Sequence, residues 1–154
     1  SAALFDVSHM GQLRLVGDDA ARALESLVPM DIVDLAPGKQ RYAFFTTPSG
    51  GILDDLMVTR YDDHLFLIVN AACKEADLRH LVTHIGHRGT VQALPERALL
   101  ALQGPLAAKA LARLHPGLTA MPFMTGAAPC AGASPRMPAC VSGRPSSPRM
   151  PSIA

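Results

Sequence analysis

Pro48-Ser49-Gly50-Gly51 stands between two stretches of strand character, and it limits the folds open to this chain more than any other feature. Proline presets one turn angle, and glycine supplies the conformations that other residues resist. Lys39 to Thr47 reads as the strand before the turn and Ile52 to Tyr61 as the strand after it. The pair predicts a hairpin, hence antiparallel pairing.

The flanking segments extend the pattern. Gln12 to Val16 alternates polar and apolar residues, as a half-buried strand does. Gly17 ends it, and Asp18 or Asp19 is placed to cap a helix bearing Ala20, Leu24, Leu27 and Val28 on one face. Pro29 closes that helix. Leu65 to Val69 is an unbroken apolar run, fit for a central strand. Ala71 to Ile85 reads as a helix with Ala72, Ala76, Leu78, Leu81, Val82 and Ile85 on its apolar face. Thr90 to Leu94 and Ala98 to Leu102 read as two short strands around Pro95-Glu96, followed by a helix over AAKALARL. The expected class is α+β: a mostly antiparallel sheet with flanking helices.

Residues 125–154 break the pattern. They are rich in Pro, Ala, Ser, Gly and Arg and show no strand or helix period, so they are expected to be disordered or foreign to the domain.

Composition narrows the function. The chain of 154 residues is 49% hydrophobic and 18% charged, which suits a domain with a real core. Its net charge is +1, and its Lys and Arg residues are scattered, so no nucleic-acid footprint is expected. No apolar run reaches the roughly 18–20 residues that span a bilayer, so no membrane role is expected. The three cysteines, Cys73, Cys130 and Cys140, are widely spaced, suggesting neither a disulfide framework nor a CxxC metal site. His80 and His84 have i, i+4 spacing but lack the glutamate of a zinc-protease helix, so no metal is expected.

Three segments carry polar groups suited to a site. In SGGILDDLMV, Asp54 and Asp55 adjoin on a strand, so they face opposite sides. One reading makes them the polar shoulder of the turn. Another places one carboxylate among Ile52, Leu53, Leu56 and Met57, where desolvation raises its pKa toward neutrality. Ser8 and His9 could pair as nucleophile and base, but adjacent strand side chains diverge, which favours ordinary strand-end polar groups. Asn70 closes the apolar run and is placed either to cap the following helix or to meet a ligand.

LFDVSHMGQ, SGGILDDLMV, FLIVNAACKEADLRHL and RALLALQGPLAAKAL, in this order and at these spacings, resemble the aminomethyltransferase family, the T protein of the glycine cleavage system. The resemblance covers about residues 4–124, with one lobe over 4–94 and the start of the next over 95–124. It implies a partial folate-binding aminomethyltransferase fold. It also implies an enzyme that takes an aminomethyl group from the lipoate arm of the H protein, passes the methylene to N5 of tetrahydrofolate and releases ammonia. Matched by motif, Asp55 is the acidic residue that orients the pterin and assists proton movement at N5. Met10 and Asn70 line the folate pocket, and Leu53 and Val69 shape it. The family's GYTGEDG-like motif has no match after Met124, and its third lobe has none either. This chain alone is therefore expected to be inactive. Two relatives are weighed beside it: a folate-binding protein of iron–sulfur maintenance, and the folate domain of sarcosine or dimethylglycine dehydrogenases. A non-catalytic α+β interaction module is the alternative of another class. The expected compartment is the bacterial cytoplasm, with the mitochondrion as the other.

Overall fold

The computed structural model describes residues 1–114, 116–127 and 139–141. In chain order its strands are β1 (Ala3–Asp6), β2 (Gly11–Val16), β3 (Gln40–Thr46), β4 (Ile52–Arg60), β5 (Leu65–Val69), β6 (Thr90–Ala93), β7 (Leu100–Gln103), β8 (Thr125–Ala127) and β9 (Ala139–Val141). The helices are α1 (Ala20–Glu25), α2 (Lys74–Ile85) and α3 (Ala107–Leu111), with a 3-10 turn over Pro116–Ala120.

The predicted hairpin forms. β3 and β4 pair antiparallel, with Ala43 opposite Leu56 and Phe44 opposite Asp55. Gly50 adopts a φ of +85° in the turn, a conformation that favours glycine. Thr47 closes the loop: its backbone N–H donates to Gly51 O at 2.7 Å, and Gly51 N–H donates to Thr47 Oγ1 at 2.9 Å.

Five strands form one sheet in the order β3-β4-β5-β2-β6, and its pairings are antiparallel. One face is apolar because every second residue points to it. Leu13 and Leu15 of β2, Ala43 and Phe45 of β3, Leu56 and Val58 of β4, and Leu65, Leu67 and Val69 of β5 are all buried there. Ala20, Ala23 and Leu24 of α1 and Leu81 and Ile85 of α2 complete the same core. The mostly antiparallel α+β class expected from the sequence is the one observed.

Three local expectations differ from the structure. α2 starts at Lys74 rather than Ala71, and its buried line is Asp77, Leu81 and Ile85, spaced by four. Ala72, Ala76 and Val82 are exposed, so the apolar face predicted from them is rotated toward Asp77. Asp19 stands at the head of α1 but makes no cap bond, because its carboxylate receives Arg88 Nε at 2.8 Å and Nη2 at 2.6 Å. β6 and β7 do not pair across Pro95-Glu96. β6 joins the edge of the main sheet beside β2, and β7 pairs with β1 in a separate two-stranded sheet.

Within the segment set apart by composition, Thr125–Ala127 and Ala139–Val141 form strands. Thr125 is buried and bridges to Lys39, Gly126 N–H donates to Gly38 O at 2.9 Å, and β8 pairs with β9. The remainder of 125–154 lies outside the described residues.

Candidate functional site

The register brings the sequence-predicted polar residues to one end of the sheet. Leu56 pairs with Val69, and Gly11 pairs with Val69 from the other side. One step further along, Asp55 and Asn70 are joined by a hydrogen bond, Phe44 stands opposite Asp55, and Met10 immediately precedes β2.

Asp54 and Asp55 face opposite sides of β4, as adjacent strand residues must. Asp55 is exposed on the face away from the helices. Asp54 is half-buried on the helix side, in phase with Leu56 and Val58. Asn70 joins the two, because it lies just past the end of β5, the central strand beside β4. Its Nδ2 donates to Asp54 Oδ1 at 2.9 Å, to Asp55 Oδ1 at 2.9 Å and to Asp55 O at 3.2 Å. Its backbone N–H donates to Asp54 Oδ2 at 3.4 Å. The Asn70 side chain therefore does not cap α2. Its Oδ1 has no hydrogen-bond partner among the described residues, so it remains open as an acceptor beside Asp55.

Asp54 is the acceptor hub on the helix side. Burial alone would raise its pKa, but hydrogen bonds from Asn70, from the Asp77 carboxyl and from backbone N–H groups outweigh that and hold it below the ordinary value. Asp77 comes from α2 and is 4% exposed. Burial, the hydrogen bond with Asp54 and the charge of Asp54 push its pKa up to about 7. Asp77 is thus mostly protonated below neutrality and donates to Asp54. The Cys73 thiol also faces Asp54, and desolvation together with the charges of Asp54 and Asp77 raises its pKa. Of the two adjacent carboxylates the half-buried one is Asp54, whose pKa lies below the ordinary value despite its burial, and the raised pKa belongs to Asp77 instead.

This linkage sets a pH dependence. The folded-state pKa of Asp77 is about 7, against 3.8 for an ordinary Asp, so between those values the folded chain holds a proton that the unfolded chain releases. The contribution to stability is present below the lower value and is lost as pH rises through the higher one. The downward shift of Asp54 acts below that window. Asp77 is expected to contribute a decline in stability across that window, by at most about 1.4 kcal/mol per pH unit, while His80, whose pKa burial lowers, contributes with the opposite sign. Urea unfolding across that range checks the sign, and Asp77→Asn should flatten the decline.

The remaining predicted residues separate. Leu53 is 49% exposed and shares the face of Asp55, two residues earlier on β4, so it is available to a ligand. Val69 is 0% exposed within the core; it supports the Asp55–Asn70 pair from behind and does not line it. Met10 is half-buried and borders a cleft between β2, β6 and α2, lined also by Ser8, Gly11, Gln12, Lys74 and Leu78. That cleft does not include Asp55 or Asn70. The cleft at Met10 and the Asp55–Asn70 pair are thus separate features of this end of the sheet. Met57, Phe44 and Ile68 are half-buried there, and Tyr42 is 56% exposed.

Ser8 is occupied elsewhere. Its Oγ accepts from Leu99 N–H at 2.9 Å, and its own N–H donates to Asp6 Oδ1 at 3.0 Å. A close Ser8–His9 pair is not formed, and His9 is exposed. His80 and His84 meet ring to ring at 4.6 Å. Among the described residues no group of three candidate ligands could hold a metal.

Sequence reasoning missed Asp77. The available signal was its place four residues before Leu81 and eight before Ile85, a carboxylate on the buried line of a helix.

The family model described as "GCVT N-terminal domain" matches residues 1–136. The mitochondrial aminomethyltransferase of Flaveria anomala is 44% identical over 121 residues, covering 74% of this chain and 30% of that protein. The mitochondrial aminomethyltransferase of Homo sapiens is 44% identical over 131 residues, covering 80% of this chain and 32% of that protein. The crystal structure of glycine cleavage system aminomethyltransferase T from Bartonella henselae superposes with a TM-score of 0.75 at 40% identity, covering 81% of this chain and 35% of that one. The chain spans about a third of the length of these relatives.

Proposed function

The chain belongs to the GCVT N-terminal domain family, and from that membership we propose that it supplies the pterin-binding strands of a glycine cleavage aminomethyltransferase. The substrate is tetrahydrofolate, and the partner is the H protein, whose lipoate arm carries the aminomethyl group. The whole enzyme passes the methylene to N5 of tetrahydrofolate and releases ammonia. Relatives named aminomethyltransferase, at 44% identity, support the reaction.

The observation that carries the reading is the Asp55–Asn70 pair beside an apolar sheet face. A pterin is a flat ring edged with N–H and amino donors. An ionised carboxylate accepts such donors in directional, charge-assisted hydrogen bonds. The open Asn70 Oδ1 adds a second acceptor. Phe44, Met57, Ile68 and Leu53 offer apolar surface for the ring faces. Held there, the ring presents N5 in a fixed position, which lowers the entropic cost of transfer.

The chain corresponds to about a third of its relatives, so transfer is assigned to the larger enzyme and binding to this part. The compartment proposed is the bacterial cytoplasm, with the mitochondrion as the other location. The relatives include mitochondrial proteins and one from a bacterium. Among the described residues no helix is long and apolar enough to cross a membrane.

Calorimetric titration of the purified chain with tetrahydrofolate tests the reading. Saturable binding is expected, with no ammonia released from aminomethyl-loaded H protein. Absence of any binding heat at millimolar ligand would remove the pterin assignment.

A further inference from the structure

Behind the exposed pair lies a second layer that pterin recognition does not itself require. Asp77 sits on the buried line of α2 and is 4% exposed. Its carboxyl lies against that of Asp54, and its Oδ2 is buried with no other hydrogen-bond partner among the described residues. A buried carboxyl without a cation is costly unless it is protonated or paired. No ion pair reaches Asp54 or Asp77 among the described residues; Lys74, next to Cys73 on α2, turns its ammonium to His9 O at 3.4 Å. The groups facing Asp77 are Asp54 from β4 and Cys73 at the head of α2. Asp55 stands on the opposite face of the strand.

We propose that Asp77 is a positioning residue for the pterin site: its protonated carboxyl donates to Asp54, and Asp54 so held fixes the Asn70 amide with its acceptor oxygen open beside Asp55. The inference rests on the proposed function for its ligand, and on the Asp77–Asp54–Asn70–Asp55 chain of contacts for its geometry. Asp54 can hold Asn70 through both its backbone N–H and its Nδ2 while Asp77 is neutral. Loss of the Asp77 proton sets two carboxylates side by side and removes the donor. Asp54 then repels Asp77, and the Asn70 amide loses its fixed partner. Asp77 touches no ligand atom in this arrangement; it acts through Asp54 and Asn70.

Two measurements on the full chain test this. The first is ligand-free: the carbon resonance of the Asp77 carboxyl and the side-chain amide signals of Asn70 are followed across pH. They should move together with one midpoint, near the value of about 7 given by the buried environment. Asn70 signals that do not follow Asp77 overturn the inference, whether or not folate binds. The second is calorimetry with tetrahydrofolate. Wild-type affinity should fall about tenfold on passing from below to above that midpoint, the worth of one charge-assisted hydrogen bond. Asp77→Asn keeps a donor and cannot titrate, so its affinity should stay level over the same range. Asp77→Leu should bind weakly at every pH. A wild-type pH profile retained in Asp77→Asn would overturn the inference. If no tetrahydrofolate binds while the Asn70 signals track Asp77, the proposed function fails and the positioning role stands.

Discussion

Asp55→Ala is expected to weaken tetrahydrofolate binding by about 10- to 150-fold while leaving the fold intact. A hydrogen bond to a charged group contributes about 1.5–3 kcal/mol, which is that range in affinity. The Asp55 carboxylate is exposed, and it accepts a side-chain hydrogen bond from Asn70 Nδ2 at 2.9 Å. Asn70 retains Asp54 as its other carboxylate, so it stays in place. Unfolding free energy should change by no more than about 0.5 kcal/mol, as for most surface substitutions. Asp54→Ala makes the contrast. It strips the acceptor from Asn70, Asp77 and Cys73 together, and it should lower stability as well as binding. Paired calorimetry and urea titration read both quantities. Equal affinity in wild type and Asp55→Ala would show that the carboxylate takes no part in recognition.

Phe45→Ala is expected to cost about 3–5 kcal/mol of stability, the usual toll for deleting a large buried aromatic. Phe45 is 0% exposed, and its ring meets His80 edge-on at 5.2 Å. It projects from β3 toward α2, so its removal opens a void between sheet and helix. Domains of this kind have about 5–15 kcal/mol in total, so the variant should approach unfolding. The urea midpoint should drop while the slope stays unchanged. A loss below about 1 kcal/mol would mean that the site collapses around the missing ring or that Phe45 is not packed as described. α2 carries Asp77, so a loosened sheet–helix contact should also weaken folate binding in whatever fraction stays folded.

What the sequence displays depends on how local the cause is. The β3–β4 hairpin is legible because its turn chemistry and its strand patterns lie within one stretch of chain. β5 and α2 are legible from an unbroken apolar run and a helical period. The pairing of β1 with β7 is not legible, since Ala3 and Gln103 are brought together by contacts far apart in the chain. The docking of Thr125 against Lys39 is equally non-local, and no period announces it.

The site divides in the same way. The opposed faces of Asp54 and Asp55 follow from strand alternation, and the place of Asn70 follows from the end of β5. Which carboxylate loses its water does not follow, because the apolar neighbours of Asp55 in sequence flank the strand and do not cover it. α2 supplies the cover instead, and it shields Asp54 and Asp77. Val69, which the resemblance gives as shaping the pocket, is turned into the core by strand alternation. Met10, which the resemblance places in the folate pocket, borders a cleft that includes neither Asp55 nor Asn70.

The central claim is that a pterin docks on the outer sheet face at Asp55 and Asn70. Amide and side-chain NMR spectra of the isotope-labelled chain, recorded through a tetrahydrofolate titration, test it directly. The shifts should concentrate at Phe44, Asp55, Met57, Ile68 and the Asn70 side-chain amide. Shifts confined to another surface, such as the cleft around Lys74 and Leu78, with Asp55 and Asn70 unmoved at saturation, would contradict it.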